Sequence, residues 1–211
     1  MSAVAGVRLP GTRERLMAAA RELIEEGGYA AAPVTAIARR TGVASGTLYR
    51  HFDSKAELFL EIFRDVCAGE ERAMVAAAEA LDVRAGPVAR LEAVLGTFAR
   101  RALQNPRLAW ALLAEPVDQL LEAERLEYRR RYAELIEREL RAAIAAGEVP
   151  EQDAAFTAAA LVGACGEALV GPLSPVAGSA RPVAGSALPV ASQVVAAIQS
   201  FVRRAIGAAA A

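Results

Sequence analysis

Apolar residues recur every three or four positions along most of this 211-residue chain, and no stretch alternates them with polar ones. That spacing lays one apolar stripe along a helix, whereas a half-buried strand needs a period of two. The fold class expected is therefore all-α, with about nine helices. The first stripe is Leu16, Ala19, Ala20, Leu23 and Ile24, in a helix that follows Thr12 and stops at Gly27-Gly28. Glycine ends a helix there because it takes the left-handed conformation without a Cβ clash. Tyr29 then folds back toward the core. Pro33 opens a second, short helix to about Arg40, since its missing N–H is no loss in a first turn. Gly42 makes a tight turn into a third short helix, from about Ser45 to His51. A fourth starts at Ser54-Lys55-Ala56-Glu57, a capping box in which Ser54 caps the backbone and Glu57 reaches back.

The later helices are longer. One opens at Gly86-Pro87, one at Asn105-Pro106 as N-cap plus first-turn proline, and a charged one runs from Asp118 to Ala146. Two more span about Glu151–Val170 and Val190–Ile206. Between these two, Pro-Val-Ala recurs at Pro175, Pro182 and Pro189. A proline every seventh residue forbids a continuous helix, so 175–189 reads as a flexible linker.

Composition excludes several functions. The net charge is −1, so no general attraction to polyanions is advertised. Locally the balance differs. From Thr35 to Lys55, four cations (Arg39, Arg40, Arg50, Lys55) stand against Asp53 alone, a surplus of +3. A positive island on a neutral chain suits a localised phosphate contact. Lys55 is the one lysine beside 23 arginines, and it sits in a helix's first turn, where the dipole disfavours a cation. Cys67 and Cys165 stand far apart in apolar surroundings and read as buried thiols of a reducing compartment. One histidine and two cysteines do not furnish a zinc site, so no metal and no cofactor is expected. No nucleophile–base pair is visible, which argues against an enzyme. The N-terminal ten residues lack a signal peptide's apolar core. The most apolar window, 154–170, is mostly Ala and Gly and contains Glu167, a poor match to a membrane span. A cytoplasmic protein is expected.

The informative stretch is IARRTGVASGTLYRHFDSKAELF, from Ile37 to Phe59. Two short helices joined at Gly42 make a helix-turn-helix. Ala38 is small where the helices cross, and Val43, Leu48 and Phe52 supply apolar support. The second helix presents Ser45, Thr47, Tyr49, Arg50 and His51, all hydrogen-bond donors suited to base edges and phosphates in a major groove. Core is the lesser reading of Tyr49.

This stretch resembles the TetR family of bacterial regulators, whose typical run GVSKGTLYRHFPSKEALF compares with GVASGTLYRHFDSKAELF here. The upstream TRERLMAAARELIEEGGYAA resembles that family's first helix and turn. The resemblance implies a helix-turn-helix DNA-binding domain at 1–53 and a helical effector-binding and dimerisation domain at 54–211. It implies a transcriptional regulator, a repressor released from near-palindromic double-stranded DNA by a small-molecule effector. Position by position, it implies phosphate contacts at Tyr49, His51 and Lys55 and base or backbone contacts at Thr47 and Thr35. Two departures stand out: Ala44-Ser45 replaces the usual Ser-Lys, removing a cap and a charge, and Pro33 replaces a hydroxyl residue.

Phe98, Trp110, Tyr128, Tyr132 and Phe156 are large groups on separate helices that could line an effector pocket, or simply fill a core. Arg101 and Glu115 are candidates to fix a polar ligand group. The cluster Arg129–Arg131 lies among many glutamates and reads as a solvated face. A homodimer is expected through the last two helices. Ala159, Ala160, Gly163 and Gly166 form a small-residue face, and Val194, Val195, Ile198, Phe201 and Val202 an apolar stripe. A helical enzyme and a DNA-free scaffold of the same fold are the alternatives, the second separable by salt-dependent DNA binding.

Overall fold

The computed structural model describes residues 11–115, 119–175 and 190–209. Among these there is no strand. The helices are α1 (Thr12–Gly27), α2 (Val34–Thr41), α3 (Lys55–Glu79), α4 (Gly86–Gln104), α5 (Pro106–Leu113), α6 (Gln119–Ala145), α7 (Ala154–Leu173) and α8 (Val190–Ala205). A 3₁₀ helix, Ser45–Arg50, follows α2 and brings the number of longer helical elements to nine. Most of the Pro-Val-Ala repeat, residues 176–189, lies outside the described residues, as does the stop expected at Pro116.

Local chemistry sets these boundaries. Ser54 Oγ accepts the Glu57 N–H at 3.0 Å, the expected cap, while the Glu57 carboxylate reaches one residue further than a standard box, to the Asp53 N–H. Asn105 and Asp153 cap α5 and α7 in the same way. The Asp153 cap moves the start of α7 to Ala154, and that helix runs through Pro172 to Leu173, three residues past the expected end. Gly42 closes α2 at φ +70°. The third helix departs from an α-helix: Ala44 offers no side-chain cap, Gly46 is a weak helix former, and Ser45–Arg50 winds as 3₁₀.

Two apolar clusters hold the molecule. The first gathers Leu16, Leu23 and Ile24 of α1, Ile37 of α2, Leu48 and Phe52, the upper turns of α3 (Leu58, Phe59, Ile62, Phe63), Leu108 and Leu112 of α5, and Tyr128 of α6. The second joins the lower α3 to α4, α6, α7 and α8 around Leu91, Val94, Leu140, Leu161 and Val202. The head's core is therefore not closed at residue 53. Its cluster continues past residue 53 into α3, α5 and α6. A bidentate pair, Arg203 to Glu92 at 2.7 and 2.8 Å, fastens α8 to α4.

Candidate nucleic-acid interface and ligand cavity

Thr35, Ser45, Tyr49, Arg50 and His51 are all exposed on the head, and Thr47 is half-buried beside them. Tyr49 is 57% exposed, so it is a surface residue and not core. The face exists because Leu48 and Phe52, one residue to either side of the polar positions, are fully buried. Of the cations in the positive island, Arg40 is taken up by an exposed ion pair within the head. Its guanidinium donates to both Glu26 oxygens at 2.8 and 2.9 Å, tying α2 to α1 and holding the Glu26 carboxyl below its usual range. Arg39 and Arg50 remain on the surface.

Lys55 is only half-exposed. Its Nζ donates to the Tyr29 carbonyl at 3.0 Å and lies 3.7 Å from the centre of the Tyr29 ring. Burial lowers its pKa, and the Glu115 carboxylate works against that shift.

Beneath the head lies a cavity of about 630 Å³. This is within the range of small-molecule sites. Its wall takes residues from α1 (Arg21), α3 (Phe63, Cys67, Met74), α4 (Leu95, Phe98), α5 (Leu108, Leu113), α6 (Tyr128, Tyr132) and α7 (Val162, Val170). Both tyrosine hydroxyls are turned to backbone: Tyr128 to the Arg64 carbonyl at 3.1 Å and Tyr132 to the Cys67 carbonyl at 3.2 Å. The wall's charges are largely used. Arg101 forms a bidentate pair with Glu70 at 2.6 and 3.0 Å. Buried Arg125 donates to the carbonyls of Leu112, Ala111 and Glu115 at 2.6, 3.0 and 2.9 Å and pairs with Glu122. It thereby satisfies the open C-terminal end of α5. Burial pushes the Cys67 thiol up to about 12 and the Cys165 thiol up to about 11. The Tyr132 hydroxyl is raised too, by the same cause.

Of the five aromatic residues expected at a pocket, Phe98, Tyr128 and Tyr132 line this cavity together. Phe156 does not. It is 74% exposed at the start of α7, because Ala154, Ala158 and Leu161 take the inward face of that helix. Trp110 does not line it either: its neighbours Ala109 and Leu113 do, and Trp110 packs on the second apolar cluster. Glu115 also stands away from the cavity, bonded to the Tyr29 N–H at 3.0 Å.

The stripe on α8 needs a similar correction. Val195, Ile198 and Val202 are buried in this subunit's own core against α4, and Val194 is partly buried there. Phe201 is 41% exposed, and Ala159, Ala160 and Gly163 lie on the outer surface of α7. Gly166 is half-buried on the cavity wall, which Gly163 also borders. By length and composition α7 could cross a membrane, yet it packs along α6 and its inner face, Ala158, Leu161, Cys165 and Leu169, is core. The Arg129–Arg131 cluster is mostly salt-laced, as expected: Arg130 pairs with Glu127 and Glu134, and Arg131 with Glu71. Arg125 and Met74 had no distinguishing sequence signal, since one sits in an Arg/Glu-rich helix and the other in an alanine run.

A helix-turn-helix head set on a helical body with a cavity defines the class of one-component DNA-binding regulators. Residues 16–62 match the family model for bacterial regulatory proteins of the tetR family, and residues 84–169 match the tetracyclin repressor-like C-terminal domain. The chain belongs to the TetR family of bacterial transcriptional regulators. It is 35% identical over 104 residues to the transcriptional repressor KstR of Mycobacterium tuberculosis, covering 47% of this chain and 44% of that protein. It is 37% identical over 121 residues to KstR2 of Rhodococcus jostii, covering 56% of each. The chain thus spans about half the length of the relatives it matches. The solved FadR of Bacillus subtilis, in complex with stearoyl-CoA, shares the fold at TM-score 0.69 and 21% identity, over 92% of this chain and 97% of that one.

Proposed function

We propose that this chain is a repressor that binds a near-palindromic operator as a homodimer and releases it when a small, largely apolar effector fills the cavity. The observation that carries this reading is the cavity's shared wall. Arg21 of α1 and Phe63, Val66 and Cys67 of α3 border it, and α3 begins at Lys55, beside the exposed DNA-facing residues. An occupant that prefers one packing of those α3 turns shifts the head; one that binds both packings equally shifts nothing. The stearoyl-CoA bound by FadR supports an apolar-chained occupant as a first compound to try. Thr35, Ser45, Thr47, Tyr49, Arg50, His51 and Lys55 are the proposed DNA contacts. The proposed dimer surface is the outer face of α7, with Phe156, Ala159, Ala160 and Gly163, together with Phe201 of α8. The compartment that fits is the cytoplasm, where the DNA is.

The test selects DNA from a random pool with the purified protein. A two-fold related consensus, whose binding weakens with salt and with an added effector, supports the reading. Failure to enrich any sequence sinks it.

A further inference from the structure

The end of α5 takes part in two structures at once. Leu112, Leu113 and Ala114 belong to the cavity wall. One residue later, the Glu115 carboxylate accepts the Tyr29 N–H at 3.0 Å, joining residues 86 apart in sequence. Gly28 makes room for it: φ there is +81°, and a Cβ would stand 3.2 Å from Glu115 Oε2. Only glycine accommodates that backbone readily. Tyr29 in turn seats Lys55, with its carbonyl 3.0 Å and its ring centre 3.7 Å from the ammonium. Phe59 backs that ring at 4.5 Å. On the cavity side, Arg125 grips the Glu115 carbonyl itself. One unbroken series of contacts thus runs from the cavity wall through Glu115 and Tyr29 to Lys55.

We propose that Glu115 is a positioning residue for Lys55, holding the Tyr29 seat from which the ammonium reaches a DNA phosphate, and that the end of α5 is where the cavity's contents act on that seat. The inference rests on the reading of Lys55 as a phosphate contact. An ammonium has three protons; the Tyr29 carbonyl takes one and the Tyr29 ring faces another, which leaves one for a phosphate. A seated lysine also has less rotamer freedom left to lose on binding DNA. An occupant that displaces Leu112–Ala114 carries Glu115 away from Tyr29 and frees Lys55 to wander.

The test measures affinity for the selected DNA against salt concentration. Lys55→Met should flatten the log–log slope by about 0.9 per subunit, one phosphate's share. Glu115→Ala should remove most of the same increment. The double variant should bind within about twofold of Lys55→Met, since coupled sites do not add. Glu115→Gln, whose amide oxygen still accepts the Tyr29 N–H, should restore most of the slope. A merely structural loss lowers the active fraction and leaves the slope alone. Should Glu115→Ala not fold, Tyr29→Leu removes the ring under the ammonium and carries the same expectation. A wild-type slope in the folded Glu115 or Tyr29 variant, or additive losses in the double, overturns the proposal. A wild-type slope in Lys55→Met removes the phosphate contact and the proposal with it. Absence of any salt-dependent binding by the wild type instead overturns the functional reading itself.

Discussion

Arg125 shows how much one side chain can hold together. Its guanidinium closes the C-terminal end of α5 by donating to three carbonyls, and it is almost fully buried. Arg125→Met keeps the stem's volume and leaves those acceptors dry. Since each buried acceptor left without a donor costs on the order of 1–3 kcal/mol, the variant should lose about 3 kcal/mol of stability in denaturant unfolding. A loss under about 1 kcal/mol would mean that water replaces the guanidinium. At the proposed DNA face, Thr47 and Lys55 should separate in their effects. Thr47→Ala should change which sequences are selected and leave the salt slope intact, because a hydroxyl neutralises no phosphate. Selection from a random pool, repeated with that variant, checks this. These polar positions were readable in advance because a short motif fixes them against Leu48 and Phe52. Glu115 was not readable as a partner of Tyr29, since nothing local announces a contact across 86 residues.

At the scale of helices, periodicity names a buried face but not what buries it. In α1 the five apolar residues picked out by spacing are all buried. In α8 the stripe is equally clear, but α4 of the same subunit covers most of it, so Phe201 is the one stripe residue left exposed for a partner. In α7 the long run of alanines and glycines gives no strong contrast between faces, and an aromatic residue at position 156 could be assigned inward with nothing to object. The surviving expectation is narrower than a whole stripe. Phe201→Glu places a charge on the proposed contact without touching the core, and should yield monomers in sedimentation velocity; a stable dimer would place the interface elsewhere. The two thiols on α3 and α7 allow a different test. Their pKa values are raised from 9.0 to about 12 and about 11. The folded protein thus keeps protons that the unfolded chain releases, so this contribution is intact below about pH 9 and is lost as pH rises toward 11–12. Replacing both cysteines by alanine should flatten the alkaline fall of stability over that interval, measured as denaturant midpoint against pH.

For the whole molecule, the proposed dimer sets the spacing of the two heads. Recognition elements related by a two-fold axis meet successive major grooves when they lie ~34–36 Å apart, one helical turn of DNA. An effector that changes this distance weakens binding; a typical coupling of ~1–3 kcal/mol corresponds to roughly 5–150-fold. Trp110 sits on α5 beside the wall residues Ala109 and Leu113, so its fluorescence should report movement of α5 in the same concentration range that releases DNA. Unchanged emission during release would mean that α5 stays still. The head's cluster runs past residue 53 into α3, α5 and α6, and this bears on how the chain melts. A module whose interior is completed by its neighbour has no melting point of its own. Calorimetry should give one peak with matching calorimetric and van't Hoff enthalpies, and a fragment ending at Asp53 should be unstructured and readily digested. Heat uptake by the head should then move to higher temperature when a molecule binds in the cavity beneath it, in proportion to the logarithm of its concentration over Kd.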